Sequence, residues 1–320
     1  MNRARAIRMK TSKHDSTVNH SFNSLTHTSI LRRIGRALTL MAALPCFLML
    51  PASAKTLVAG PPLVQIAAGN SQVWGLDGAG NLYQYSGGTF NLIGATYSQV
   101  AVGEGTDVWA LGTNGHPYQW NSTTKTLNEI SSSLEFTQIA TGSGGTWAIT
   151  SGGDIYSYNV PLKKFEKFTK GPPPKAENIF VGGAPEAVWI LDDLANQPHL
   201  YNTKSGLFNL VPGVGLFQVA VGYTTVWGLD LSGQVRLYHP TKPFEFNVVA
   251  GPPTGAALLT VTTNSEFWAI SLADHAVYHY NTATKLFDLV DDSETYEQIS
   301  AGNSTIGVWA LTNKHKIYKF

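Results

Sequence analysis

A tryptophan recurs seven times, at Trp74, Trp109, Trp147, Trp189, Trp227, Trp268 and Trp309, in steps of 35, 38, 42, 38, 41 and 41 residues. The same four short segments surround each one. The first is apolar, opens on glutamine and closes on glycine, as in Gln65-Ile66-Ala67-Ala68-Gly69 and Gln218-Val219-Ala220-Val221-Gly222. The second is Val73-Trp74-Gly75-Leu76-Asp77, the third Tyr83-Gln84-Tyr85 and the fourth Phe90-Asn91-Leu92-Ile93, each echoed in later units. These segments are rich in β-branched and aromatic residues, and turn formers such as Gly78-Ala79-Gly80-Asn81 separate them, which is the pattern of four antiparallel strands. Four strands in about forty residues is the size of one propeller blade. No 3.6-residue periodicity runs through any unit, so helical repeats are excluded. The spacing therefore predicts an all-β chain: a seven-bladed β-propeller of four-stranded antiparallel blades.

The ends of the repeat predict how the ring closes. The seventh unit stops after its third segment, at Phe320, while Thr56-Leu57-Val58-Ala59-Gly60-Pro61-Pro62 matches the fourth segment and exit of unit five, Asn247-Val248-Val249-Ala250-Gly251-Pro252-Pro253. An N-terminal strand that completes the last blade removes the exposed sheet edges. The alternation of strand side chains then predicts the blade-to-blade seam. The residue after each tryptophan is Gly75, Ala110, Ala148, Ile190, Gly228, Ala269 or Ala310, small in six of seven cases. A large indole on one face with a small residue on the other suits sheets stacked in a ring, each tryptophan filling the dip on its neighbour. Burying an indole is worth roughly 4–6 kcal/mol as a gross upper figure. The seven tryptophans are thus expected to be structural, with Ile190 demanding a local difference at blade four.

Charge divides the chain at residue 54. Residues 1–54 hold eight Lys/Arg and one acid, Asp15; of the chain's 22 basic and 21 acidic residues this leaves 14 and 20 for 55–320. A mildly acidic body without a basic block is poor material for nucleic acid or anionic lipid. Arg32, Arg33 and Arg36, the apolar run 37–50 and Pro51-Ala52-Ser53-Ala54 read as an export signal with an A-x-A cleavage site, the run being short for a bilayer span. Residues 1–54 are accordingly expected to be an N-terminal extension plus signal peptide and 55–320 the propeller, secreted or held in the periplasm or at the cell surface, with no membrane insertion once the signal is removed. The lone cysteine, Cys46, would leave with the signal, so packing alone stabilises the mature chain.

The unit Gln-Ile/Val-Ala-x-Gly, then Val-Trp-Gly/Ala-Leu-Asp, then Tyr-x-Tyr resembles the tectonin repeat, and the resemblance spans residues 56–320. Units one, two and five match best, over Gln65 to Tyr85, Gln99 to Trp120 and Gln218 to Tyr238; in units four and six Asn178 and Thr260 stand where glutamine is expected. The resemblance implies a β-propeller with lectin-like recognition of surface glycans, bacterial lipopolysaccharide and methylated sugars among them. The better-known members have six blades, whereas seven units are counted here.

Signs of catalysis are sparse. There is no G-x-S-x-G elbow, no Walker loop and no G-x-G-x-x-G. His275 and His279 have helical zinc spacing, but on a strand they stand about 13 Å apart and cannot share a metal. No metal and no cofactor are expected. Trp120 takes the place of a repeat tyrosine and is a candidate for stacking on a ligand. The turns after the third segment repeat as Asn121-Ser122-Thr123, Asn202-Thr203-Lys204 and Asn281-Thr282-Ala283. Their asparagines form turns first and are candidate partners for sugar hydroxyls. Export, repetition and polar turns favour a non-enzymatic protein that binds cell-surface glycans through repeated inter-blade or loop sites. A surface-protein scaffold and a propeller lyase or hydrolase are the alternatives.

Overall fold

The computed structural model describes residues 55–183, 187–241 and 244–320. Residues 1–54, expected from the sequence to be an extension and export signal and including Cys46, lie outside them. Seven antiparallel four-stranded sheets follow one another around a ring. Blade one is built from Leu63–Ala68, Val73–Asp77, Leu82–Ser86 and Thr89–Gly94. Blades two to six span 97–129, 138–167, 176–210, 216–248 and 256–291. Blade seven takes Tyr296–Ala301, Val308–Thr312 and Ile317–Lys319, and its fourth strand is Thr56–Val58. The closing strand runs antiparallel with Leu57 opposite Tyr318 and Val58 opposite Ile317, as the matched ends require. Lys55 fastens it: its Nζ donates to Asp291 Oδ2 at 2.7 Å and to the Ser293 hydroxyl, and lies 4.6 Å from the Tyr318 ring centre.

Each tryptophan packs forward onto the next blade, against an aromatic ring of that blade's third strand or, in blade seven, of the residue just past it. Trp74 meets Trp120 at 4.9 Å between centroids, Trp109 meets Tyr158 at 4.6 Å and Trp147 meets Tyr201 at 5.0 Å. Trp189 meets Tyr238 at 4.9 Å, Trp227 meets Tyr280 at 5.0 Å, Trp268 meets Phe320 at 6.1 Å, and Trp309 returns to Tyr85 at 4.7 Å. The small residue after each tryptophan lies in the same apolar cluster as the preceding blade's indole: Ala110 with Trp74, Ala148 with Trp109, Ala269 with Trp227 and Ala310 with Trp268. Ile190 takes this place beside Trp147, where Phe168 of the same blade adds a further ring at 6.2 Å. The forward step fixes the hand of the seam: each indole is covered by the next blade in chain order, and only the last, Trp309, depends on the first blade.

The glutamine that opens units one, two, three and five forms a second inter-blade contact nearer the ring axis. Gln65 Nε2 donates to the Val100 carbonyl and its Oε1 accepts the Val100 N–H, at 3.1 and 3.0 Å. Gln99 bonds Ile139 in this two-point fashion, Gln138 bonds Ile179 and Gln218 bonds Leu259. One primary amide thus mimics a peptide group and pairs inner strands that are otherwise too splayed to form a ladder. In unit six the glutamine slot belongs to Leu258, opposite Ile270, and not to Thr260. The segment lacks both the glutamine and the closing glycine that set the register by eye. Thr260 lies two residues on, and its hydroxyl accepts the Ala301 N–H at 3.0 Å. Closing glycines are required where the inner strands converge: a Cβ on Gly69 would sit 2.4 Å from the Gly103 carbonyl oxygen, and one on Gly142 would sit 2.8 Å from that of Gly182. Together the inner strands line a central channel, whose wall includes the equivalent residues Ala68, Val102, Thr141, Val181, Val221, Val261 and Ala301.

Candidate binding trough

Strand order places the turns. In an antiparallel blade the first-to-second and third-to-fourth turns share one face of the ring, and the other turns share the opposite face. The candidate asparagines all head third-to-fourth turns, on blades two, four and six. Their side chains cap those turns. Asn121 Oδ1 accepts the N–H groups of Thr123 and Thr124 at 2.9 and 3.2 Å, Asn202 Oδ1 those of Lys204 and Ser205 at 2.9 and 3.0 Å, and Asn281 Oδ1 those of Ala283 and Thr284 at 3.0 and 3.2 Å. These are Asx turns, which explains why asparagine recurs there. Asn281 is engaged further, its Nδ2 donating to Asp288 Oδ2 at 2.8 Å.

Trp120 is not a ligand platform. Its ring is 6% exposed and meets Trp74 edge-on. It fills the slot that Tyr85, Tyr158 and Tyr238 fill elsewhere; the residue in that slot packs on the preceding tryptophan, and is buried at Trp120, Tyr238 and Tyr280 and half-buried at Tyr85, Tyr158 and Tyr201.

The polar hairpin of blade four borders open space. Two cavities meet at its third-to-fourth hairpin. One, of about 460 Å³, is lined by Ser143 of blade three, Gly183 and Val188 of blade four, and Tyr223 of blade five. The other, of about 430 Å³, lies between the outer strands of blades four and five and is lined by Asn202, Lys204, Asn209, Tyr238 and Phe244. Tyr201 and Thr203 line both. The two adjoin along Tyr201 and Thr203 as a bipartite trough, one half at the inner turns and the other between the outer strands. Volumes of roughly 300–1,000 Å³ are typical of small-molecule sites.

Alternation explains the lining. Phe208 faces Trp147 across the blade three–four seam, so Asn209, its neighbour, faces blade five and stays exposed. The Phe-Asn pair recurs as Phe90-Asn91 and Phe246-Asn247, and this outward asparagine was the legible sign of the outer wall. Tyr223 and Phe244 belong to no repeat position and carried no such sign. Lys204 is the one charged side chain lining either cavity among the described residues. Asp192 and Asp230, on blades four and five, are occupied at second-to-third turns on the opposite face. Burial pushes each carboxyl up. Backbone N–H donors, with His199 at Asp192 and Ser232 and Arg236 at Asp230, outweigh it and hold both below the usual carboxylate range. Among the described residues no group of three or more His, Cys, Asp or Glu side chains could hold a metal, and no helix is long and apolar enough to cross a membrane.

Residues 62–160 match the family model of the Tectonin domain. No curated protein matches the sequence. Among solved structures, virginiamycin B lyase from Staphylococcus aureus is similar with a TM-score of 0.63 at 14% identity, over 83% of this chain and 97% of that one. YCF48 from Cyanidioschyzon merolae gives 0.61 at 14% identity, over 84% and 98%, and YCF48 bound to D1 peptide gives 0.62 at 13% identity, over 83% and 94%. At such identities these likenesses speak for the fold alone. The Tectonin-domain match over residues 62–160 and the same unit carried seven times around a closed ring fit a tectonin-repeat β-propeller.

Proposed function

We propose that this is an exported, non-enzymatic protein that binds glycans in the trough on blade four. The trough carries the reading. Tyr201, Tyr223 and Phe244 offer apolar ring surface suited to the C–H faces of sugars, while Thr203, Asn209 and the free amide of Asn202 offer donors and acceptors suited to hydroxyls. The lining has no carboxylate, imidazole or thiol among the described residues, and its rings, amides and hydroxyl are the parts of a binding site. Repetition supplies the frame and blade four the site, so one binding site per ring is expected in place of seven. The test is a glycan array probed with the purified protein. The reading expects one related family of glycans to bind, and binding to drop at least tenfold in Asn209→Ala with the melting temperature unchanged. Silence across the array would overturn it.

Export rests on the sequence reading of residues 1–54. If it is right, the secreted protein begins at Lys55, which intact-mass measurement reads directly; a mature chain retaining residues 37–50 would contradict it.

A protein partner is the second reading, and one observation favours it. On the opposite face, Leu194 (91% exposed), Phe217, Leu231 and Leu272 leave an apolar arc across blades four to six. Phe217 is extruded there by a bulge in its inner strand. Larger exposed apolar patches mark interaction surfaces, and a propeller of similar fold is bound to D1 peptide.

A further inference from the structure

We infer that the trough takes an extended glycan chain that crosses Thr203, and not a single sugar ring; this rests on the glycan reading above. Three observations carry it. First, the two cavities are separate volumes of about 460 and 430 Å³, each already in the range of a drug-sized ligand, so one pyranose would leave most of the space to water. Second, they are not independent: Tyr201 and Thr203 belong to both walls. A ligand that fills both must pass over the hairpin between Asn202 and Lys204. Third, the two halves differ in chemistry. The inner half is walled by Ser143, Gly183 and Tyr223, with no charged lining residue among those described; the outer half holds Asn202, Asn209, Lys204 and Phe244. A chain lying radially would place successive units against different partners, which gives directional recognition of an internal stretch.

Thr203 is the point at which this can be interrupted. It is exposed, at the tip of a two-stranded hairpin, and makes no side-chain hydrogen bond among the described residues. A larger side chain there does not disturb the seam. Linking two weak sites through one ligand raises affinity without any new contact, so blocking the crossing should return the chain to the affinity of one half-site.

The experiment is calorimetric titration with the glycan that binds most strongly on the array, and with the monosaccharides released from it by acid hydrolysis, against the protein and Thr203→Arg. The intact glycan should bind at least tenfold more tightly than any of its monosaccharides. Thr203→Arg should reduce it to their level while keeping the wild-type melting temperature. A monosaccharide that binds as tightly as the chain, or a Thr203→Arg variant with undiminished affinity for the chain, would overturn the inference and leave glycan binding intact. Failure of the protein to bind any glycan on the array would remove the glycan reading itself and this inference with it.

Discussion

Truncating one tryptophan should not cost the same at every seam, and the structure says which seams differ most. Trp109 is fully buried, donates from Nε1 to Asp107 Oδ1 at 2.8 Å, and is met by two rings of blade three, Tyr158 at 4.6 Å and Phe165 at 5.5 Å. Trp268 is the most exposed of the seven at 8%. Its Nε1 is buried without a hydrogen-bond partner, and its one ring from blade seven is Phe320 at 6.1 Å. A reason for the difference is covalent. Blade seven borrows its fourth strand from the N-terminus, and Thr56–Val58 brings no aromatic residue to match Phe165. Truncation of a buried tryptophan to alanine costs about 3–5 kcal/mol. Two aromatic pairs at about 0.5–1.5 kcal/mol each and a hydrogen bond of about 1 kcal/mol put Trp109→Ala near the top, at about 5 kcal/mol. Removing an unpartnered buried N–H recovers some of the roughly 1–3 kcal/mol it costs, which puts Trp268→Ala near about 3 kcal/mol. At about 2–4 °C per kcal/mol for a domain of 150–250 residues, the gap of about 2 kcal/mol is about 4–8 °C in melting temperature, with Trp109→Ala the less stable. Scanning calorimetry and urea midpoints on both variants read it. Equal losses, or a greater loss at Trp268, would refute the forward-packing scheme.

The inner ring and the latch give further expected outcomes. Gly69→Ala places a Cβ 2.4 Å from a backbone oxygen and should cost more than about 2 kcal/mol, whereas Gly78→Ala, whose nearest atom is 3.7 Å away, should change the urea midpoint little. Gln218→Ala breaks both bonds to Leu259 and should cost about 1–3 kcal/mol; Asn178→Gln, which lengthens the side chain in the same slot of blade four, should raise the melting temperature by rebuilding that bridge. Burial pushes the Asp291 carboxyl up, but bonds from Lys55 and the Tyr296 hydroxyl outweigh it and hold the group below the usual range. A depressed carboxyl gives stability that is present above an unfolded value near about 4 and is lost as pH falls through the folded one. Melting curves from pH 7 to pH 2 should therefore show Asp291→Asn less stable at neutrality and less sensitive to acid than the wild type; identical acid sensitivity would contradict the latch.

Blade number, strand count and the indole seam are legible because the unit recurs with period-two alternation, and ring closure because the strand missing from the seventh unit, after Phe320, is found at Thr56 to Val58. Two corrections show where that legibility stops. Trp120 stands out in the sequence because its identity departs from Tyr85 and Tyr158, but it makes the same contact with the preceding tryptophan that they make, and its larger ring is buried by it. Unit six carries neither anchoring letter, so the sequence puts Thr260 in the glutamine slot, and only the pairing of Leu258 with Ile270 sets the true register. The glutamines are recognisable as a signature without a role, since a bridge from Gln65 to Val100 joins residues of different blades and needs the ring to exist first. The trough is hidden for the same reason. A repeat encodes the features its units share, whereas Tyr223, Phe244 and the gap between them are peculiar to blades four and five.

The most direct test is a crystal structure of the protein with the array-selected glycan. Density for the chain should lie across Thr203, with sugar rings against Tyr223 on one side and Phe244 on the other and hydroxyls within hydrogen-bond distance of Asn209. A glycan seated in the central channel, over the apolar arc of Leu194 and Phe217, or in an equivalent groove of another blade would contradict the assignment of the site to blade four.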